Sequence, residues 1–125
     1  DTKQMNRAAD NLRILIASMV EKAKSGHPGG AMGGADFIKP ATDSSSTPAN
    51  VSMLYSVLAM SGFYTVDELR QFRQWGSVTP GHPELDPRRG VENSSGPLGQ
   101  GHVMAVGCAI AERFLVQRFG ETLAH

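Results

Sequence analysis

A mainly α-helical chain with one long ordered loop is what the sequence predicts, and three observations carry the prediction. Apolar residues recur at helical spacing over residues 4–24, a helix-start signature stands at Thr65–Glu68, and a second helical stripe runs to Phe119. Between the last two lies Gly76–Gly101, where four prolines and six glycines erase any periodicity. Ordinary connections are shorter, and a stretch of that size is disordered or functional.

Along residues 4–24, Met5, Ala8, Ala9, Leu12, Leu15, Ile16, Met19, Val20 and Ala23 form one stripe, and Asn6, Arg7, Asp10, Arg13, Glu21 and Lys22 take the other side. Lys22 and Lys24 suit the negative end of that helix, and Gly26 offers a left-handed stop. A short second helix is expected from about Met32, although the glycines of GGAMGG weaken it. Residues 39–50, KPATDSSSTPAN, read as a loop or linker, since two prolines and a Ser/Thr run leave few large apolar groups. VSMLYSVLAMSG at 51–62 fits a buried helix or a strand, and Ser52 as N-cap with Gly62 as C-cap favours the helix. Thr65 and Glu68 make a capping box, which predicts a helix from Val66 to about Trp75 with Phe72 and Trp75 in the core. The last helix is expected over Gln100–Phe119. Val103, Gly107, Ile110 and Phe114 line one stripe there, and the small residues Ala105, Gly107, Cys108, Ala109 and Ala111 suit close packing with Cys108 buried.

The 125 residues suffice for one domain and are too few for two comfortable ones. Twelve basic and twelve acidic side chains leave no formal net charge, which argues against a dominant nucleic-acid or anionic-membrane surface. No apolar run approaches a membrane span, and DTKQMNRAAD is no signal-peptide core. A single cysteine cannot form an intramolecular disulfide, so a reducing, cytoplasmic setting is expected.

The chain writes Gly-His-Pro twice, in SGHPGG at 25–30 and TPGHPE at 79–84. Glycine permits a turn through positive φ, and a following proline drives the histidine toward extended geometry. The product is a tight turn that presents an imidazole at a fixed angle, suited to polar recognition or proton transfer. SSGPLGQGH at 94–102 runs through glycines into a helix start, where exposed amides on a backbone without Cβ atoms suit a diphosphate. Leu98 is the large apolar side chain there against which a flat ring could rest. Gly-x-x-Gly-x-Gly alone is weak, and a glycine-rich turn before a packed helix explains it equally well. His102 is a less convincing site residue, His125 looks idle, and the histidines lack metal-ligand spacing on one element. Arg88 and Arg89 read as an exposed basic pair, and Asp86 and Glu92 as local loop partners.

Taken in order, EKAKSGHPGGAMGGADFI, MLYSVLAMSGFYTVDELRQFRQWGSVTPGHPELD and RGVENSSGPLGQGHVMAVGCAIAERFL resemble transketolase, at the start of its N-terminal thiamine diphosphate domain. The resemblance covers residues 5–38 and 53–120. It implies an α/β parent fold, a parallel sheet flanked by helices, of which residues 1–125 would be one partial and mostly helical domain. It also implies transfer of a two-carbon ketol unit from a ketose phosphate to an aldose phosphate, in the pentose phosphate pathway. The cofactors would be thiamine diphosphate and Mg2+, with the site shared across a homodimer or completed by a companion chain. By the same resemblance, His27 faces the cofactor's reaction centre and the donor sugar's hydroxyls. His82 contacts the donor's first hydroxyl and steadies the carbanion-like intermediate. Gly96, Pro97 and Leu98 contact the cofactor, with Leu98 against its rings.

The sequence also departs from the family pattern. KPATDSSSTPANVS at 39–52 is atypical and replaces a sheet strand and another Gly-His turn, with Asn50 near the expected histidine. No Gly-Asp-Gly…Asn segment for magnesium and diphosphate is present, and the glutamate that activates the aminopyrimidine belongs to another domain of the family. The chain alone is therefore expected to be inactive. The alternative is a non-catalytic helical module, whose apolar faces, left by the missing sheet, bind a partner chain. Thiamine-dependent synthases and dehydrogenases are a third possibility, against which the paired Gly-His-Pro turns argue.

Overall fold

A computed structural model describes residues 2–37, 51–94, 96–97 and 99–120. Five α-helices carry it: α1 (Thr2–Ala23), α2 (Pro28–Gly33), α3 (Val51–Met60), α4 (Val66–Leu69) and α5 (Gln100–Phe119), with 3-10 turns at Gly34–Phe37 and Pro87–Arg89. No strand forms among the described residues, and Asp86 and Val91 make an isolated antiparallel bridge. The helical expectation holds. The linker at 39–50 lies outside the described residues, whereas Val51 and Ser52 already belong to α3.

The stripe on α1 buries Ala9, Leu12, Ile16 and Met19. The first three pack with Ala31 and Ala35 beyond the His27 turn and with Val57 of α3. Met19 joins a second cluster with Val51, Tyr55, Leu58, Tyr64, Leu69, Phe72 and Val91. Tyr55 stands at its centre, edge-on to Tyr64 at 5.4 Å and to Phe72 at 6.1 Å between centroids, both favourable aromatic geometries. Burying a hydroxyl in this core demands a partner. Ser56 finds one by donating to the Ser52 carbonyl one turn back, at 2.7 Å, with the Met19 sulfur 3.4 Å away.

Several boundaries differ from the sequence reading, each for a local reason. The second helix starts at Pro28 rather than Met32, because a proline at the first helical position loses no needed N–H and brings a helical φ. Lys24, at φ 48°, takes left-handed geometry before Gly26, at φ 121°, turns the chain further. Ser52 lies inside α3 instead of capping it. Gly62 does end that helix: the amides of Gly62 and Phe63 donate to the carbonyls of Ala59 and Leu58, a Schellman motif.

The capping box forms as predicted, with the Thr65 hydroxyl accepting from the Glu68 amide and the Glu68 carboxylate accepting from the Thr65 amide. The helix it starts stops at Leu69, however, well short of Trp75. Tighter i→i+3 bonds follow, and Arg73 then leaves the helical path at φ 61°, donating its amide to the Thr79 carbonyl at 3.0 Å. Trp75 lies beyond that break and is fully exposed, while Phe72, before it, is buried as expected.

The largest departure is α5. Its stripe of Val103, Ile110 and Phe114 faces solvent, each at least 60% exposed. Cys108 is likewise exposed. Close packing through the small residues was expected, yet nothing lies within 4 Å of where a methyl on Gly107 would stand. Helical period survives on this element, with its stripe facing solvent instead of a neighbour among the described residues.

Candidate functional site

The long loop is ordered because α4 holds it at several points. Thr79 is fully buried. Its hydroxyl donates to the Glu68 carbonyl at 3.1 Å and lies 2.8 Å from the Ser77 hydroxyl, and its own carbonyl receives the Arg73 amide. Farther along, Arg89 Nη1 bonds Glu68 Oε1 at 2.7 Å while its guanidinium lies 5.1 Å from the centre of the Tyr64 ring. Asp86 and Val91 exchange two backbone hydrogen bonds, and the Leu85 amide donates to Ser94 Oγ at 2.8 Å. Arg89 is thus committed to the loop's own fold. The Thr65 amide, followed by the Arg89 guanidinium, holds the Glu68 carboxyl below its ordinary value.

His82 sits on that anchored loop. It is exposed between two buried residues, Thr79 and Pro83, so the loop is pinned on both sides of the ring. His27 is exposed at the junction of α1 and α2, with φ −121° and ψ 101°, the extended geometry that a following proline imposes. Its side chain makes no capping hydrogen bond to α2, so helix capping does not account for it.

Gly96 comes close to His82: a methyl built on Gly96 would stand 4.0 Å from the imidazole Cδ2. The structure therefore brings together one Gly-His-Pro turn and the glycine-rich loop. Pro97 is exposed beside Gly96, and Gly99 turns left-handed at φ 87° into α5. Leu98 and the side chain of His102 lie outside the described residues, as do Asn50 and His125.

A contact that the sequence did not announce relates the two Gly-His-Pro turns. A methyl on Gly26 would lie 3.8 Å from Arg73 Cδ, and one on Gly81 would lie 3.0 Å from both Cζ and Nη1 of the same residue. One arginine side chain thus passes the first turn with its stem and ends against the second. The helix expected to run to Trp75 would have included it, and no local signal in the sequence marked it out.

A cavity of about 200 Å³ opens on the other side of the loop, lined by residues that include Tyr55, Tyr64, Ser77, Glu84 and Asp86. Neither His27 nor His82 lines it, although Pro80 and Glu84, on either side of the second Gly-His-Pro turn, do. Burial, then the neighbouring Tyr64 and Glu84, push the Tyr55 phenol above its ordinary range. Among the described residues no three His, Cys, Asp or Glu side chains come together as a metal-ligand set. No helix there is long and apolar enough to cross a membrane.

The family model described as transketolase, thiamine diphosphate binding domain, matches residues 4–42 and 45–124. A transketolase of Staphylococcus epidermidis is 42% identical over 132 residues, covering 91% of this chain and 20% of that protein. The transketolase of Geobacillus stearothermophilus is 44% identical over 131 residues, covering 90% of this chain and 20% of its own length. A crystal structure of transketolase from Campylobacter jejuni superimposes with a TM-score of 0.79 at 36% identity, over all of this chain and 22% of that one. The chain therefore spans about a fifth of the length of the relatives it matches.

Proposed function

We propose, from the premise that this chain belongs to the transketolase thiamine diphosphate binding domain family, that it forms one half of a site for thiamine diphosphate and a sugar phosphate donor. The observation that carries the reading is the meeting of His82 with Gly96: an imidazole on a pinned turn stands beside an open backbone at the start of a helix. The residues present fit part of the cofactor. Gly96 and Pro97 offer backbone to it, and His27 and His82 stand as exposed donors and acceptors, while the contact of Leu98 with its rings rests on the family motif alone. When bound, thiamine diphosphate supplies the carbon centre that carries a two-carbon ketol unit between sugar phosphates.

The chain's own task is positional. The imidazoles hold sugar hydroxyls and accept or return protons at their ring nitrogens, and fixed turns lower the cost of orienting them. Magnesium does not fit the described residues, which offer no ligand set, and no step is assigned to it. The complete reaction requires groups that the longer relatives have room for, so the chain by itself is proposed to be inactive. Its setting is proposed to be cytoplasmic, in the pentose phosphate pathway, with a second copy or a companion chain completing the site.

The exposed stripe on α5 favours a second role beside this one, association with a partner chain through Val103, Ile110 and Phe114. Calorimetric titration of the chain with thiamine diphosphate, with and without magnesium, tests the primary reading. Heat of binding that is reduced by His82→Ala supports it. No heat in a sample shown to be folded by circular dichroism removes the cofactor role and leaves association alone.

A further inference from the structure

We propose that Arg73 is a positioning residue for both histidines, a strut that fixes the separation of the two Gly-His-Pro turns; this rests on the reading that the turns serve one site. The side chain passes the Gly26 turn with its methylenes, and its planar guanidinium rests against Gly81. Val20 and Phe72 lie nearer the Gly26 turn, at 3.4 and 3.5 Å from a methyl there, and Arg73 is the neighbour that the two turns share.

Two further features single this arginine out. Arg70 is paired with Asp67 one turn away at 2.6 Å, and Arg89 of the loop reaches back to Glu68 at 2.7 Å, whereas Arg73 has no ion pair among the described residues. Its backbone is also left-handed at φ 61°, a conformation that disfavours any side chain larger than glycine's. Glycine would suit that backbone better, so the side chain is kept against local preference, where loop closure by Thr79 aims it at the turns. Gly81 is the complementary element: a Cβ there would stand 3.0 Å from the guanidinium, tight enough that the fork would have to give by a few tenths of an ångström.

The test is transmission between turns, read from the imidazole resonances of the isotope-labelled full chain. Gly81→Ala drives a methyl into the guanidinium, and the His27 ring signals are expected to shift although His27 belongs to the other turn. In an Arg73→Gly background, which relieves the left-handed strain and keeps the fold, the same substitution is expected to leave His27 unmoved. Arg73→Lys keeps the stem beside Gly26 and removes the planar fork, so the shift at His27 is again expected to be lost.

A His27 signal that ignores Gly81→Ala, or responds equally with and without Arg73, overturns the strut. Should Gly81→Ala unfold the chain, Arg73→Lys and Arg73→Gly are read alone: each must move the His82 ring signals, and a still spectrum refutes the proposal. Adding thiamine diphosphate to the wild-type chain is the separate arm. If neither ring responds to it, the cofactor reading fails while the transmission result stands on its own.

Discussion

Replacing Thr79 by valine keeps the shape of a fully buried side chain and deletes only its hydroxyl. That hydroxyl donates to the Glu68 carbonyl at 3.1 Å and shares a 2.8 Å hydrogen bond with Ser77. Valine fills almost the same volume, so cavity formation is not the issue. The Glu68 carbonyl keeps the Gln71 amide at 3.1 Å, so it is not orphaned, and the loss is that of one hydrogen bond to the loop, about 0.5–1.5 kcal/mol. Ser77 is half-exposed and recovers its bond from water, so a destabilisation of about 1 kcal/mol is expected. Urea unfolding of both chains, followed by circular dichroism, measures the difference. The damage should also be local: Thr79 accepts the Arg73 amide and precedes His82 by three residues, so amide exchange should speed up over 77–84 more than in α1. A destabilisation below about 0.5 kcal/mol, the scatter of ordinary surface substitutions, would refute the claim that Thr79 pins the histidine turn.

Three other outcomes are expected. Gly90→Ala places a Cβ 2.8 Å from Leu58 Cδ2 at a backbone φ of 78°, and should destabilise by about 2 kcal/mol or more in thermal unfolding. Gly107→Ala adds a methyl in open space on α5 and should stabilise that helix by up to about 1 kcal/mol, seen as higher helicity on heating. Glu68, with its carboxyl lowered in the folded state, contributes stability that is complete above its ordinary value of 4.5 and lost as pH falls through the lowered one. Urea midpoints of the wild type should therefore fall on acidification, and those of Glu68→Gln should fall less steeply.

What the sequence disclosed depended on how local the physics was. The capping box needs Thr65, Glu68 and the backbone between them, and it forms as read. The geometry of His27 is dictated by its own proline, and that too was legible. Trp75 was misread because the helix is interrupted by a bond from Arg73 to Thr79, a residue outside the helical window. Cys108 and the α5 stripe were misread for the opposite reason: periodicity shows which face seeks a neighbour and says nothing of whether the neighbour is present. Arg73 had no signature because its significance arises only where two distant turns meet its side chain. The approach of His82 to Gly96 is equally non-local, and spacing alone did not announce it.

These two kinds of non-locality bear on the site in different ways. The His27 and His82 turns rest on a core that is closed within the described residues, through Met19, Tyr55, Leu69 and Phe72 for the framework and Thr79 for the loop. The glycine-rich loop is held at one end by the Ser94 bond to Leu85, and its other end continues into α5, whose apolar stripe is bare. Beyond its buried Gly101 the helix can therefore move, and such motion reaches Gly99, Pro97 and Gly96 through the backbone, while the histidines stay in register. Covering the stripe would fix the helix and, with it, the backbone beside His82. On this reasoning the association role proposed for α5 and the cofactor role proposed for the glycine loop are linked: a chain that covers Val103, Ile110 and Phe114 also preorganises the cofactor contacts, and loss of the first weakens the second.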